Sequence, residues 1–382
     1  MSYQFVTPEK VIYGENALLD SMGEIAKLGS KALIVTGKNV TASGVISELE
    51  GLLSNHGVKS VLYNDIVKEP TIQMILDGVR VFDEDQCDFV IGIGGGSPMD
   101  SAKAISAMTV LPNEIQSYMG KEILGDFPPV VLIPTTTGTG SEATKYTIIT
   151  DEDNNVKMLL KGDSLLPKIA VLDFKLVDKT PGNIVVATAM DALTHAIEAY
   201  VSRKATPITN SFAESAVRKI FRFLPMFIRG ENIDEAKGEL LMAAFEAGIC
   251  INNASVTIVH GMSRPIGALF HIPHGISNAI LLGVCMNDME NELEEEFANL
   301  GQLIGCTGTK TDSCKQFLGK LDELCQLADI KNLKELGVNK AEFDLVKGKM
   351  AEDALASKSP DNAKKTYTKE NILLLYDALW KE

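Results

Sequence analysis

The chain has 382 residues, of which 45% are hydrophobic and 23% charged, and its formal net charge is −15. That length suits two domains, and that mixture excludes disordered, collagen-like and mini-protein classes. The negative charge argues against nucleic acid and anionic membranes as partners, because their phosphates would be repelled. No apolar run is read as a membrane span of about 18 residues. The opening Met1-Ser-Tyr-Gln-Phe-Val has neither the basic nor the apolar region of a secretory signal. The six cysteines stand singly, without a CxxC pair, so a cytoplasmic location is expected. Of five histidines, His195, His260, His271 and His274 fall close together in the second half, and that clustering asks for an explanation.

Up to about residue 175, short β-branched runs alternate with helical patterns. Strands are predicted at Lys31–Thr36, Val58–Tyr63, Asp88–Ile93 and Val130–Ile133, with helices at Asn16–Leu28, Thr71–Phe82 and Met99–Met108. Buried strands alternating with helices imply parallel βαβ units in a doubly wound sheet. Thr147–Thr150 and Val156–Leu160 flank the polar run Asp151-Glu-Asp-Asn-Asn and read as a hairpin outside the repeated units. After about Pro181 strand signals nearly vanish. Helices are predicted at Ile184–Ala205, Asn210–Leu224, Ile233–Ala254, Glu290–Ile304, Thr311–Leu327, Ala341–Ala351 and Lys369–Trp380. The fold class is therefore an α/β Rossmann-like domain over residues 1–180 followed by an all-α domain over residues 181–382, with no low-complexity linker between them.

Two loops carry chemistry in the first half. Gly94-Gly95-Gly96-Ser97 follows a buried strand and opens a helix. Glycines there let a ligand approach the backbone N–H groups, and the helix N-terminus favours a pyrophosphate. Ser97 is expected as N-cap, Pro98 at the first helical position and Asp100 as the acid of a capping box. The run is neither a GxGxxG fingerprint nor a GxxxxGK[ST] loop, so its context matters. Pro134–Thr144 follows the next buried strand and is rich in hydroxyls. Open α/β sheets bind ligands at that strand edge, which makes the two loops one nucleotide bed.

In the second half, Asp191 and His195 are four residues apart in a helical stretch and share a face. His260 is read at the end of another helical pattern, and His274 follows in His271-Ile-Pro-His. One carboxylate and three imidazoles suit a divalent first-row metal, Fe²⁺ or Zn²⁺. Glu198, three residues past His195, is read as a salt-bridge or capping partner instead of a ligand.

Together these segments resemble the iron-containing (group III) alcohol dehydrogenase family, which is related to glycerol dehydrogenase and dehydroquinate synthase. The residues that carry the resemblance are Pro8–Gly14, Gly94–Lys103, Pro134–Thr144, Asp191–Tyr200 and His260-Gly-Met followed by Pro273-His-Gly. It implies metal ligands at Asp191, His195, His260 and His274 and pyrophosphate contacts at Gly94, Gly95, Gly96 and Ser97, with Asp100 alongside. Thr135, Thr136 and Thr144 match nucleotide and nicotinamide contacts. The implied cofactors are NAD(P)H and a divalent metal, the substrate is a small aldehyde or alcohol, and the assembly is a homodimer or higher homo-oligomer. Two positions depart from the family's pattern. Arg264 stands where many members carry a second histidine for proton transfer; it is read either as a helix-end cation or as a grip for an anionic tail, such as that of a semialdehyde or sulfoaldehyde. His271 is the spare histidine that could replace the relay. Gly37 stands where an aspartate often contacts the ribose 2′-OH, so both NADH and NADPH are open. The rival readings are a dehydroquinate-synthase-like lyase, which would want more cations about the ligands, and a non-catalytic nucleotide- or metal-binding protein.

Overall fold

The computed structural model describes residues 2–380 apart from residue 155. Phe5–Thr180 folds as one compact unit, and the chain from Pro181 onward, with the residues ahead of Phe5, folds as another.

The first unit is built on β1 (Lys10–Gly14), β2 (Lys31–Val35), β3 (Lys59–Tyr63), β4 (Phe89–Gly94), β5 (Val130–Pro134), β6 (Tyr146–Asp151), β7 (Val156–Lys161) and β8 (Ile169–Asp173). Six of these form one parallel sheet in the order β1-β8-β5-β4-β2-β3, while β6 and β7 pair antiparallel as the expected hairpin. Asn155, the last residue of the polar run Asp151-Glu-Asp-Asn-Asn, lies outside the described residues. The helices are α1 (Ala17–Ile25), α2 (Lys38–Ala42), α3 (Val45–Asn55), α4 (Ile72–Glu84) and α5 (Gly96–Met108).

Strand alternation sends Leu33, Val35, Val90 and Leu132 to the face covered by α4 and α5. Ala32, Ile34, Ile91 and Val131 go to the face covered by α1 and α3. Each such Val, Leu or Ile contributes roughly 1.5–3 kcal/mol by burial, which pins the register, since a one-residue slip would exchange the faces. The chain leaves β2 toward one face and β4 toward the other. The loops after these adjacent strands therefore flank a topological switch point, where ligands of open α/β sheets bind. Strands β1 and β8 fall outside the alternation read from the sequence. They pair with each other in parallel, and β8 continues to β5.

The second unit is helical: α6 (Gly182–Val201), α7 (Pro207–Ile228), α8 (Ile233–Ala254), α9 (Ile258–Phe270), α10 (His274–Asp288), α11 (Glu294–Leu303), α12 (Lys310–Leu327), α13 (Lys340–Ala356) and α14 (Lys369–Ala378). Every residue of α6 from Ala189 to Val201 is buried, and α7, α8 and α10 pack around it. By length and composition α6 could cross a bilayer, contrary to the reading that no segment could, yet 78% of its apolar window is buried within the protein. A helix whose stretch from Ala189 to Val201 is enclosed by its neighbours is a core helix. The expected helix near His260 also needs correction. Helix α8 stops at Ala254, Ser255 adopts a left-handed φ of 66°, and a new helix starts at Ile258. His260 therefore sits in the first turn of α9 rather than at a helix end.

Candidate active site

In the helical unit, side chains from three elements converge. Asp191 and His195 project from the buried side of α6, His260 from the first turn of α9, and His274 is the first residue of α10. One ligand atom from each lies within 4.8 Å of every other. The rings of His195 and His260 stack with centroids 4.7 Å apart, and His260 meets His274 edge-on at 5.2 Å. All four residues expected as ligands are thus brought together. The convergence depends on Gly275. A Cβ there would lie 2.7 Å from the Ala187 carbonyl and 3.2 Å from Asp191 Cβ, so only glycine lets α10 lie this close to α6.

The donor set fits a divalent cation. Asn278, one turn past His274, points its amide nitrogen at three acceptors: Asp191 Oδ1 at 2.7 Å, His260 Nε2 at 3.1 Å and His274 Nε2 at 3.2 Å. Two N–H bonds cannot satisfy three such acceptors, while His195 Nδ1 and Asn278 Oδ1 are buried with no partner. A cation resolves that surplus of lone pairs. Burial pushes His260 well below the ordinary imidazole range, and the neighbouring His195 and Arg264 act in the same direction, so the ring stays neutral as a ligand must.

Glu198 is fully buried on α6. Its Oε1 accepts from the Thr257 N–H at 3.1 Å, the Thr257 hydroxyl at 2.6 Å and the Val259 N–H at 2.7 Å, and its Oε2 contacts His260 Nδ1. The expected capping role is met, since the carboxylate caps α9, but the same group also holds a histidine of the cluster. Burial raises this carboxyl to about 7, against the Thr257 and Val259 donors that favour its charged form. Asn278 and the contact from Glu198 to His260 escaped the sequence reading. The available signal was spacing alone: four residues after His274 and seven after Asp191.

Arg264 lies one turn past His260 on α9, and its Nη1 donates to Ser359 Oγ at 3.0 Å. No carboxylate lies within salt-bridge distance of it among the described residues. His271 caps the C-terminus of α9 in a left-handed conformation (φ 54°), exposed and outside the ligand cluster.

In the α/β unit, the glycine loop and the threonine loop meet at the ends of β4 and β5. Gly94 takes φ 144°, and the Thr135 N–H donates to its carbonyl at 2.9 Å. A Cβ at Gly95 would touch Thr136 and one at Gly96 would touch Thr139. Helix α5 begins at Gly96, two residues ahead of the expected Pro98 start, with Gly95 rather than Ser97 as N-cap. Because Gly95 offers no side-chain cap, the first N–H groups are left for a ligand. Thr136 Oγ1 is buried and unpartnered beside them.

Asp100 does not complete a capping box. Its oxygens are taken by Ser141 Oγ at 2.5 Å and the Ile148 N–H at 2.9 Å, which makes it a brace for the threonine loop instead of a nucleotide contact. Buried Lys103 clamps the same loop, donating to the carbonyls of Ser141, Thr144 and Tyr146 and to the Thr144 hydroxyl. Thr144 therefore sits beneath the loop with its hydroxyl engaged. At the end of β2, a Cβ on Gly37 would lie 2.7 Å from the Ile66 carbonyl. That close approach accounts for glycine at this position and leaves no room for the aspartate found elsewhere.

These features, taken with the order of strands and helices, define a metal-dependent dehydrogenase class. Residues 8–174 match the iron-containing alcohol dehydrogenase family and residues 185–380 match the C-terminal domain of the Fe-containing alcohol dehydrogenase family. The chain is 33% identical over 373 residues to a 1,3-propanediol dehydrogenase of Klebsiella pneumoniae, covering 94% of this chain and 96% of that protein. It is 33% identical over 368 residues to an NAD-dependent methanol dehydrogenase of Bacillus methanolicus, with the same coverage of 94% and 96%. Among solved structures, a 1,3-propanediol oxidoreductase superposes with a TM-score of 0.95 at 30% identity over 100% of both chains. The protein belongs to the iron-containing alcohol dehydrogenase family and is a metal-dependent oxidoreductase of alcohols and aldehydes.

Two expectations follow. Gly275→Val forces α10 away from α6, so metal affinity falls at least ten-fold in a chelator competition, with about 1–3 kcal/mol of lost stability from overpacking. Unchanged affinity would show that the α6–α10 approach does not set the cluster. In the α/β unit, Glu142 is buried with both oxygens unpartnered, and burial raises its carboxyl to about 7 from 4.5, with Lys103 opposing. A folded-state pKa above the unfolded one means stability is present below the unfolded pKa and is lost as pH rises through about 7. Urea unfolding of Glu142→Gln should therefore lack a loss of about 3 kcal/mol that the wild type shows between pH 4 and 8. Parallel pH profiles would contradict it.

Proposed function

We propose that the protein catalyses reversible hydride transfer between NAD(P)H and a short-chain aldehyde. The observation that carries the reading is the convergence of Asp191, His195, His260 and His274 on one point in the helical unit. These four residues would hold Fe²⁺, and the same donor set also suits Zn²⁺. A divalent metal bound there supplies Lewis acidity toward a substrate oxygen. The uncapped start of α5 binds the cofactor's pyrophosphate, and Lys103 and Asp100 keep the threonine loop in place beside it. The relative named as NAD-dependent supports the nicotinamide cofactor. At the end of β2, Lys38 is 3.8 Å from Asp65, and both are exposed. A ribose 2′-phosphate would meet one cation and one carboxylate there, so both NADH and NADPH belong in the assay. His271 is exposed and stands outside the ligand cluster.

Arg264 refines the substrate class. Burial chiefly lowers the pKa values of His260 and His274, and the Arg264 charge adds to it, while the guanidinium itself donates to a neutral hydroxyl. A guanidinium without a carboxylate partner suits an aldehyde that carries a carboxylate or sulfonate tail. Lyase chemistry of the dehydroquinate-synthase type would call for several cations around the ligands, and Arg264 is the one guanidinium whose charge is felt there.

One assay tests the reading. Oxidation of NADH and NADPH is followed against neutral and acidic short aldehydes with Fe²⁺, Zn²⁺ or EDTA. Turnover that EDTA abolishes and metal restores is expected, and no turnover with any aldehyde in any metal would overturn it. In the same assay Arg264→Ala should lower kcat/KM for acidic aldehydes about ten-fold more than for neutral ones, as expected for losing a charge-assisted hydrogen bond. An unchanged ratio leaves Arg264 structural.

A further inference from the structure

We propose that Glu198 is a positioning residue for the metal centre, fixing which nitrogen of His260 faces the cluster. The inference rests on the metal reading above and adds to it a residue that touches neither substrate nor metal. His260 has two ring nitrogens with distinct surroundings. Nδ1 contacts the Glu198 carboxylate, and Nε2 lies 3.1 Å from the Asn278 amide nitrogen, on the side of Asp191 and His274. With Glu198 ionised, its Oε2 can only accept, so the proton of this contact sits on Nδ1, and neutral imidazole carries only one. Nε2 is then left with a free lone pair, which a metal ligand needs.

The geometry also shows why this carboxylate does not wander. Its Oε1 is held by three donors from residues 257 and 259, all at the first turn of the helix that carries His260. One buried group therefore ties α6 to the start of α9, orients the ring and selects its tautomer. Carboxylate–histidine–metal arrangements of this kind change metal affinity by roughly 10–100-fold when broken. Glu198→Gln separates the two roles. A glutamine oxygen can still accept from Thr257 and Val259, but its NH₂ would face Nδ1 and favour the tautomer with the proton on Nε2, the wrong side for a ligand.

The test uses full-length, zinc-loaded protein labelled with ¹⁵N-histidine, for which five histidines keep the spectrum assignable. In the wild type, His260 should be protonated at Nδ1, with a strongly downfield N–H proton, and should bind Zn²⁺ through Nε2. In Glu198→Gln that proton should move upfield, and the Zn²⁺ dissociation constant, read against a fluorescent chelator, should rise 10–100-fold. Thr257→Ala, which removes one donor to Oε1 and leaves the contact with His260, should raise it several-fold less than Glu198→Gln does. The proposal is overturned by a wild-type His260 that ligates through Nδ1, by an unchanged affinity in Glu198→Gln, or by an equal loss in Thr257→Ala. If Glu198→Gln does not fold, the wild-type protonation state decides. Failure of the wild type to bind Zn²⁺ would sink the metal reading, and the role of Glu198 with it.

Discussion

The helical unit is organised around a concentration of lone pairs that its own hydrogen-bond donors cannot satisfy. Four ligand side chains converge, three of them buried and His274 exposed, and a single amide, Asn278, stands against three of their acceptors. Such a set is stable in an apolar interior only with a cation at its centre. Much of the surrounding architecture serves that convergence. Helix α6 is buried throughout from Ala189 to Val201, so Asp191, His195 and Glu198 sit at fixed depth. The break at Ser255 turns the chain so that α9 begins beside them. Gly275 lets α10 start against α6, which brings His274 to the same point.

The α/β unit solves a different problem with similar economy. A nucleotide bed needs exposed backbone N–H groups, and these are unstable unless the loops bearing them are held. Lys103 and Asp100 do this from beneath. Neither reaches outward: one gathers the carbonyls of the threonine loop and the other binds Ser141 and the strand that follows. The start of α5 is left without a side-chain cap, which would be a defect in a helix with no ligand to receive.

How much of this could be read in the chain depended on the range of each signal. The parallel sheet and helical half were legible because period-two and period-3.6 patterns are local. The four ligands were legible because histidine is scarce here and one pair has helical spacing. The edge strand β1 was not, since its half-exposed Lys10–Gly14 carries little alternation. Asp100 and Ser97 were misread because a serine and an acid three residues apart mimic a capping box. Long-range bonds to Ser141 and Ile148 decide the matter instead, and no spacing rule reveals them. His260 was placed at the wrong end of a helix: the predicted end at Ala254 holds, but no local signal marks that the next helix begins only at Ile258, after the turn at Ser255. Glu198 was read as a salt-bridge or capping partner; its first oxygen caps α9, while its second points to a histidine 62 residues further along.

The central claim is that Asp191, His195, His260 and His274 bind one metal ion as three imidazoles and a carboxylate. X-ray absorption on the iron-loaded protein tests it most directly. The account predicts a first shell of nitrogen and oxygen at about 2.0–2.2 Å, with the multiple-scattering signature of three imidazoles. It also predicts that this signature drops to two in His274→Ala. A shell containing sulfur, or one of oxygen alone that His274→Ala leaves unchanged, would contradict it.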